Sequence, residues 1–188
     1  MKKILLAFAV IGLFAAKGQA QSSSFVGFEG DWVVAGQFRY QSVTPDVGDS
    51  TAEYTILPII AYGLQSDVLV GAGLGYTRSD EYNNAFILQP LVRKYWNVAN
   101  RFYVFGQGSV PINIGKETNN NFASFGVSIA PGLDYVVTDW LTFEVMFDIF
   151  NLNYKSVKDG NKTFLFNANP LNGEREFGTM TVGVKFIL

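Results

Sequence analysis

The chain has 188 residues, of which 48% are hydrophobic and 15% aromatic, and its formal net charge is −2. It contains no Cys and no His, which excludes disulfides and thiolate chemistry and removes the commonest general base and the commonest ligand for zinc and copper. The modestly acidic composition gives no support for nucleic-acid binding.

The first element along the chain is a secretory signal. Two lysines precede an uncharged run from residue 4 to residue 16, and residues 18–20 (Gly-Gln-Ala) supply the small side chains that a signal peptidase recognises. The uncharged run is too short to cross a membrane as a helix. We therefore predict a signal peptide over residues 1–20, with cleavage after Ala20, and one domain over residues 21–188.

Eight strand-like segments fill the rest of the chain, and none reaches the length of a transmembrane helix. They span residues 30–42, 53–64, 68–78, 85–96, 101–113, 122–136, 141–154 and 176–188. Short turns between them alternate with mostly longer, polar loops at residues 43–52, 79–84, 114–121 and 155–175. Short turns at one end and long loops at the other are typical of an outer-membrane barrel.

Most segments alternate with a period of two, which gives each strand two unlike faces. In the first segment, apolar residues such as Phe38 alternate with polar residues such as Arg39. The second segment fits least well, because Leu57, Ile59 and Ala61 interrupt its polar face. A soluble barrel would point the apolar face inward, whereas a membrane barrel points it at lipid and fills its lumen with the polar face.

Three features favour the membrane barrel. The apolar faces are bulky and nearly uncharged, and the glycine-rich face of residues 68–78 suits a cramped interior. Aromatic residues also lie near the strand ends, where the two interfaces of a membrane favour amphipathic rings. At the short-turn end they predict a girdle of Trp32, Tyr62, Trp96, Tyr135 and Trp140. The alternative is that these aromatic residues are present simply as good strand formers.

Closure of the sheet follows from the lipid environment. An open edge in lipid would leave backbone groups unpaired, at a cost of several kcal/mol each, so the last strand must pair with the first. The sequence thus predicts an all-β fold: a closed, antiparallel, up-and-down transmembrane β-barrel of eight strands. We expect a monomer with a packed polar core and no open pore.

Five ionisable residues are predicted to face the lumen: Arg39, Arg93, Glu144, Asp148 and Lys185. Unpaired charge in a closed lumen is costly, so we predict an ion network at two levels. The lower level holds Glu144 with Lys185 and, as a further partner, Arg93, and the upper level pairs Asp148 with Arg39. A catalytic pairing of Glu144 and Asp148 is the alternative, but side chains fill a lumen of eight strands. We predict no catalytic residue, no metal site and no cofactor.

Three similar stretches each end a strand just before a short turn: PIIAY at 58–62, PLVRKY at 90–95 and PGLDY at 131–135. Together with the strands that follow them, they resemble the OmpA/OmpX-like outer-membrane β-barrel domain family, along nearly the whole chain after residue 20. The resemblance implies a barrel in the outer membrane of a Gram-negative envelope. Each proline also predicts a local bulge, because proline is disfavoured in a paired strand.

The last strand carries a second likeness to this family. VGVKFIL at 182–188 is similar to the C-terminal signal for the barrel assembly machinery, with Val184, Phe186 and Leu188 on one face. The family signal usually ends in an aromatic residue, and here Phe186 stands two residues before Leu188. The implied partners are outer-membrane lipid, the barrel assembly machinery during biogenesis, and an unidentified surface ligand at the loops.

These observations predict a non-enzymatic protein with a role in envelope integrity or surface contact through the loops at 43–52 and 155–175. One alternative is a narrow channel or carrier for small solutes or lipids. Another is a soluble periplasmic ligand-binding barrel.

Overall fold

The computed structural model describes residues 27–43, 51–79, 84–117, 120–158, 160, 162–167 and 180–188. The predicted signal peptide and its cleavage site lie outside these residues. Within them, the strands are β1 (Trp32–Val43), β2 (Thr51–Gln65), β3 (Val68–Ser79), β4 (Asn84–Ala99), β5 (Phe102–Ser109), β6 (Ile112–Glu117), β7 (Asn120–Thr138), β8 (Leu141–Phe147), β9 (Phe150–Val157), β10 (Lys162–Asn167) and β11 (Met180–Ile187). The same ranges contain no helix with the length and apolar character needed to cross a membrane.

These strands form one antiparallel sheet that closes on itself as a barrel. Within the described ranges the sheet has eight strand positions, because three positions each hold two strands in line: β5 with β6, β8 with β9, and β10 with β11. The ladder that joins β1 to β11 begins with Val33 opposite Ile187 and ends with Arg39 opposite Thr181. The predicted closed, antiparallel, up-and-down barrel of eight strands is confirmed.

The fifth predicted segment is two strands because the ladder breaks at Pro111. Proline has no N–H to donate, and residues 110 and 111 leave the regular ladder between β5 and β6. The carbonyl of Pro111 still accepts a hydrogen bond from the N–H of Gly126 at 2.9 Å. The break is therefore local, and β5 and β6 keep the same two neighbours, β4 and β7.

The seventh predicted segment also divides, between β8 and β9. On one side of the division, Gly132 of β7 lies opposite Met146. On the other side, Ile129 of β7 lies opposite Phe150. Three residues, 147–149, therefore face two residues of β7, 130 and 131, so the extra residue of this β-bulge lies between β8 and β9, opposite Pro131.

Of the three bulges predicted at prolines, only the one beside Pro131 is present. Pro58 and Pro90 lie in ladders whose register is unchanged on either side. A proline lacks a donor but keeps its acceptor, and the carbonyl of Pro90 accepts from the N–H of Val110 at 3.0 Å. These two prolines are accommodated without an inserted residue.

The predicted surface loop over 155–175 is corrected in part. Residues 155–157 extend β9, and residues 162–167 form β10, which pairs with β9 as a hairpin. Aromatic and β-branched residues in β10 favour an extended strand over a loop. Residues 168–175 lie outside the described residues, as do residues 44–50 of the other predicted loop.

Burial separates the two faces of the barrel. Along β4, β7 and β11, buried residues on the lumen side alternate with exposed residues on the outer side. Leu57, Ile59 and Ala61 lie on the lumen side of β2 and are 4–5% exposed. The predicted polar core is therefore corrected to a mixed core, since close packing is met by aliphatic groups as well as by paired polar ones.

Residues 27–31 form a turn that closes the short-turn end of the barrel. The N–H of Gly30 donates to the carbonyl of Gly63 at 3.0 Å, and the φ angle of Gly30 is 88°, a region that favours glycine. The turn places the ring of Phe28 in the lumen, 4.8 Å from the ring of Tyr95. Phe28 is 2% exposed, and its ring fills the lumen at the short-turn end of the barrel.

We predict that a methyl group at position 63 displaces this turn. A Cβ built on Gly63 overlaps the backbone carbonyl of Phe28. Gly63→Ala should lower the free energy of unfolding by about 1–3 kcal/mol through overpacking, measured by urea unfolding of the refolded barrel.

Gly36→Ala is the matched control, because nothing lies within 4 Å of a Cβ built there. Its free energy of unfolding should change by less than about 0.5 kcal/mol. Equal losses in the two variants would show that the turn does not pack against β2 as described.

Candidate functional site

The charged groups of the lumen form two clusters. The deep cluster, nearer the short-turn end, comprises Arg93, Tyr95, Asp134, Glu144 and Lys185. These side chains come from β4, β7, β8 and β11, and strand alternation places all of them on the inward face. The side chains of its charged members are 3% exposed or less.

Arg93 and Glu144 form the first ion pair of the deep cluster. Nη1 of Arg93 lies 2.6 Å from Oε2 of Glu144, and Nη2 lies 3.1 Å from Oε1. Nε of Arg93 donates to Oε1 of Gln107 at 2.6 Å. Nε2 of Gln37 donates to Oε1 of Glu144 at 2.6 Å. The two-point contact and the added hydrogen bonds are what a buried ion pair needs to offset its desolvation.

Lys185 and Asp134 form the second ion pair. Nζ of Lys185 also lies 3.1 Å from Oη of Tyr95 and 4.6 Å from the centre of its ring. The ring of Phe28 lies 4.9 Å from the same nitrogen. The closing turn therefore contributes a cation–π contact to the deep cluster.

The structure corrects the predicted partner of Lys185 from Glu144 to Asp134. Lys185 stands opposite Thr142 on β8, one inward row nearer the short-turn end than Glu144. Asp134 stands opposite Glu144 on β7, and its carboxylate contacts Lys185. Sequence reasoning missed Asp134, although its place in the alternation of β7 puts it on the inward face. The same alternation would have found Gln37.

The upper cluster comprises Arg39, Glu53 and Asp148. Nη1 of Arg39 lies 3.5 Å from Oδ2 of Asp148, and Nη2 lies 3.3 Å from Oε1 of Glu53. Ser128 donates to Oδ1 of Asp148 at 3.3 Å. The three charged side chains are 19–29% exposed, so this cluster is partly open to solvent. The structure brings Arg39 and Asp148 together at the upper level and adds Glu53, which the sequence analysis did not include.

The lumen clusters are arranged as cross-links between strands. The deep cluster holds two cations and two carboxylates, so its formal charges balance. In the described ranges, no group of three or more Asp, Glu, His or Cys side chains is arranged to hold a metal ion. Each charged group of the deep cluster contacts a group of opposite charge, which favours a packing role over proton transfer.

The residues of the predicted girdle lie on the outer surface at the short-turn end, where they are 37–55% exposed. The set comprises Trp32, Tyr62, Trp96, Tyr135 and Trp140. Ring centres of Trp32 and Tyr62 are 5.2 Å apart, and those of Trp140 and Phe186 are 6.0 Å apart. The residues of the predicted assembly signal, Val184, Phe186 and Leu188, lie on the same surface, with Val184 the least exposed.

Comparison with known proteins shows the fold. No family model matches the chain, and no curated protein matches it. Among solved structures, the crystal structure of Neisserial surface protein A (NspA) matches with a TM-score of 0.51 over 84% of this chain and 97% of that chain, at 12% sequence identity. This chain is therefore similar to NspA in fold. The likeness supports a small eight-stranded barrel, and the finer resemblance to the OmpA/OmpX-like family stays a prediction.

We predict that removing one member of the Lys185–Asp134 pair costs more than removing both. Lys185→Met should lower the free energy of unfolding by about 3–5 kcal/mol, because it leaves a buried carboxylate unpaired. Adding Asp134→Asn should restore part of this loss. Urea unfolding of both single variants and the double variant measures the coupling.

The control combines Lys185→Met with Asp148→Asn, because Asp148 belongs to the upper cluster. These two losses should add to within about 0.5 kcal/mol, because the residues share no partner. A coupling as large as that of the test pair would contradict the division into two clusters.

Proposed function

We propose that this chain is a small, non-enzymatic outer-membrane β-barrel protein with a role in envelope integrity or surface contact. The observation that carries the proposal is the inverted distribution of polarity. Large apolar side chains cover the outside of the barrel, while paired charges lie in the lumen. A soluble barrel has the opposite distribution, because water solvates its outer face.

The outer surface between the two ends of the barrel is apolar. Its exposed residues include Val34, Phe38, Ile56, Ile60, Val70, Leu74, Leu88, Val92, Ile114, Val127, Ile129, Leu133, Phe143, Met180 and Val182. A patch of this extent is far larger than a soluble monomer exposes to water. Contact with the acyl chains of a bilayer removes this surface from water on all sides of the barrel.

Aromatic rings at both ends of this surface support a membrane orientation. The girdle marks the short-turn end, and Tyr40, Tyr54 and Phe86 are exposed toward the loop end. Tyrosine and tryptophan rings are favoured at the two interfaces of a bilayer. The short-turn end would then face the periplasm and the loop end the exterior.

The route to this location is also part of the proposal. A signal peptide over residues 1–20, cleaved after Ala20, would direct the chain out of the cytoplasm. Val184, Phe186 and Leu188 would then engage the barrel assembly machinery, and the barrel would insert as a monomer. The name of NspA, a surface protein of the same fold, agrees with a surface location.

Packing in the lumen supports a role without transport. Lys185 and Phe105 are 0% exposed, Arg93 is 2% exposed, and Phe28 closes the end below them. Recognition would then depend on the loop end, including residues 43–52 and 155–175, where an unidentified surface ligand would bind. A narrow channel or carrier would require the deep cluster to separate.

Three measurements test this proposal. Cell fractionation should place the chain in the outer membrane, and recovery in the soluble periplasm would favour a ligand-binding barrel instead. Planar-bilayer recording should show no unitary current, whereas steady current steps would favour a channel. A deletion strain should change in detergent sensitivity or adhesion and keep its uptake of small solutes.

We predict that a charge at the middle of the outer surface opposes insertion. Ile129 is 46% exposed and lies on β7 between Phe125, nearer the loop end, and Tyr135 of the girdle at the short-turn end. Ile129→Arg should cost about 2–4 kcal/mol of folding free energy, measured by urea unfolding in phosphatidylcholine vesicles.

Thr138→Arg is the matched control on the same strand, since Thr138 is exposed beside the short turn. It should cost about 0–1 kcal/mol, as arginine does near a bilayer interface. A cost at position 129 no larger than that at position 138 would contradict the membrane placement.

A further inference from the structure

Among the described residues, the loop end carries three exposed lysines, Lys116, Lys158 and Lys162, which we term the lysine row. Strand register brings them together from three segments. Lys116 lies opposite Asn121 on β7, and the N–H of Lys158 donates to the carbonyl of the same Asn121 at 2.8 Å. Lys162 on β10 lies opposite Ser156 of β9, and Ser156 precedes Lys158 by two residues. The row therefore runs from β6, across the end of β7, to β10.

Nearer the middle of the barrel lies an aromatic patch made of Phe125, Phe150, Tyr154, Phe164 and Phe166. Ring centres of Phe125 and Tyr154 are 5.5 Å apart, and those of Phe150 and Phe166 are 5.6 Å apart. Phe164 and Phe166 on β10 are 64% and 60% exposed. The patch is continuous with the apolar outer surface, because Phe125 stands on the same outward face of β7 as Val127.

The described charges differ between the two ends of the barrel. At the loop end, the carboxylates of Glu53 and Asp148 face the lumen and contact Arg39. At the short-turn end, Lys94 on the outer face pairs with Asp67. No ion pair joins a described carboxylate to the lysine row. The outer rim at the loop end therefore presents positive charge that other described residues do not neutralise.

Positive charge above an aromatic patch matches one ligand chemistry, a lipid with phosphate on its headgroup. Lysine ammonium groups bind phosphate as point charges, and their stems lie along apolar surface while the charge stays at the interface. The aromatic patch would contact the acyl chains of the same lipid. A row of basic residues at a membrane surface is attracted to an anionic leaflet.

We propose that the lysine row and the aromatic patch bind a phosphate-bearing lipid of the leaflet at the loop end. The proposal rests on the membrane placement given under Proposed function. It names the lipid that the outer surface of the barrel binds at the loop end. Binding would fix the depth of the β9–β10 hairpin at the interface. It would also distinguish the two leaflets, because the described cations at the other end already have partners within the chain: Lys94 pairs with Asp67, and Arg101 donates to the carbonyl of Val137.

The test is a titration of the refolded chain in detergent micelles with lipid A carrying both phosphates. The test variant is K116Q/K158Q/K162Q, and the control variant K94Q/R101Q removes cations at the short-turn end. Each lysine should contribute about fivefold to affinity, so the test variant should bind roughly 100-fold more weakly than wild type. The control should bind as wild type does, and lipid A without phosphates should bind wild type weakly.

Three outcomes would overturn the proposal: unchanged affinity of the test variant, equal binding of lipid A with and without phosphates, or equally tight binding of inorganic phosphate alone. K116R/K158R/K162R, which keeps the charge, should bind lipid A, and its failure to do so would count against the lysine row. Heat-modifiable gel mobility checks that each variant is folded. Insertion of the wild-type chain into phosphatidylcholine vesicles is measured separately. Its failure would contradict the membrane placement, whereas the micelle titration tests lipid binding by the lysine row.

Discussion

Pairing of β11 with β1 is the constraint on which the rest of the structure depends. It closes the sheet, so that the backbone groups of both strands are paired without help from water, as a hydrocarbon environment requires. It also fixes the register, with Lys185 opposite Ala35 and Phe186 opposite Val34. A shift of one residue would turn Lys185 outward and Phe186 inward, and would exchange the polar and apolar faces of β11. The lumen network and the apolar outer surface both follow from this one ladder.

Closure creates a narrow interior that must be filled and electrically balanced at once. Aliphatic side chains such as Leu57 and Ile59 fill part of the volume, and the deep cluster fills the rest with paired charges. Arg93 lies 4.9 Å from the centre of the Phe105 ring, so packing and charge are satisfied by the same contacts. Phe28 completes this core from outside the sheet. Because apolar side chains occupy the outer face, the charged and polar side chains of these strands lie in the lumen.

Period-two alternation was enough to predict the number of strand positions and the inward face that holds Arg93, Glu144 and Lys185, because alternation is a local property of each strand. It could not predict that Lys185 contacts Asp134, because lumen partners depend on how strands are staggered around the closed barrel. The turn at residues 27–31 was also missed. Its position depends on a tertiary contact with Gly63, for which the local sequence gives no periodic signal.

Fluorescence quenching in lipid vesicles tests the central claim, an apolar outer face in contact with lipid around a lumen of paired charges. The three tryptophans of the chain, Trp32, Trp96 and Trp140, all lie on the outer face at the short-turn end. Lipids brominated near the headgroup should quench their emission strongly, and lipids brominated near the chain end should quench it less. Emission that neither lipid quenches, with the red-shifted maximum of water-exposed tryptophan, would contradict the account.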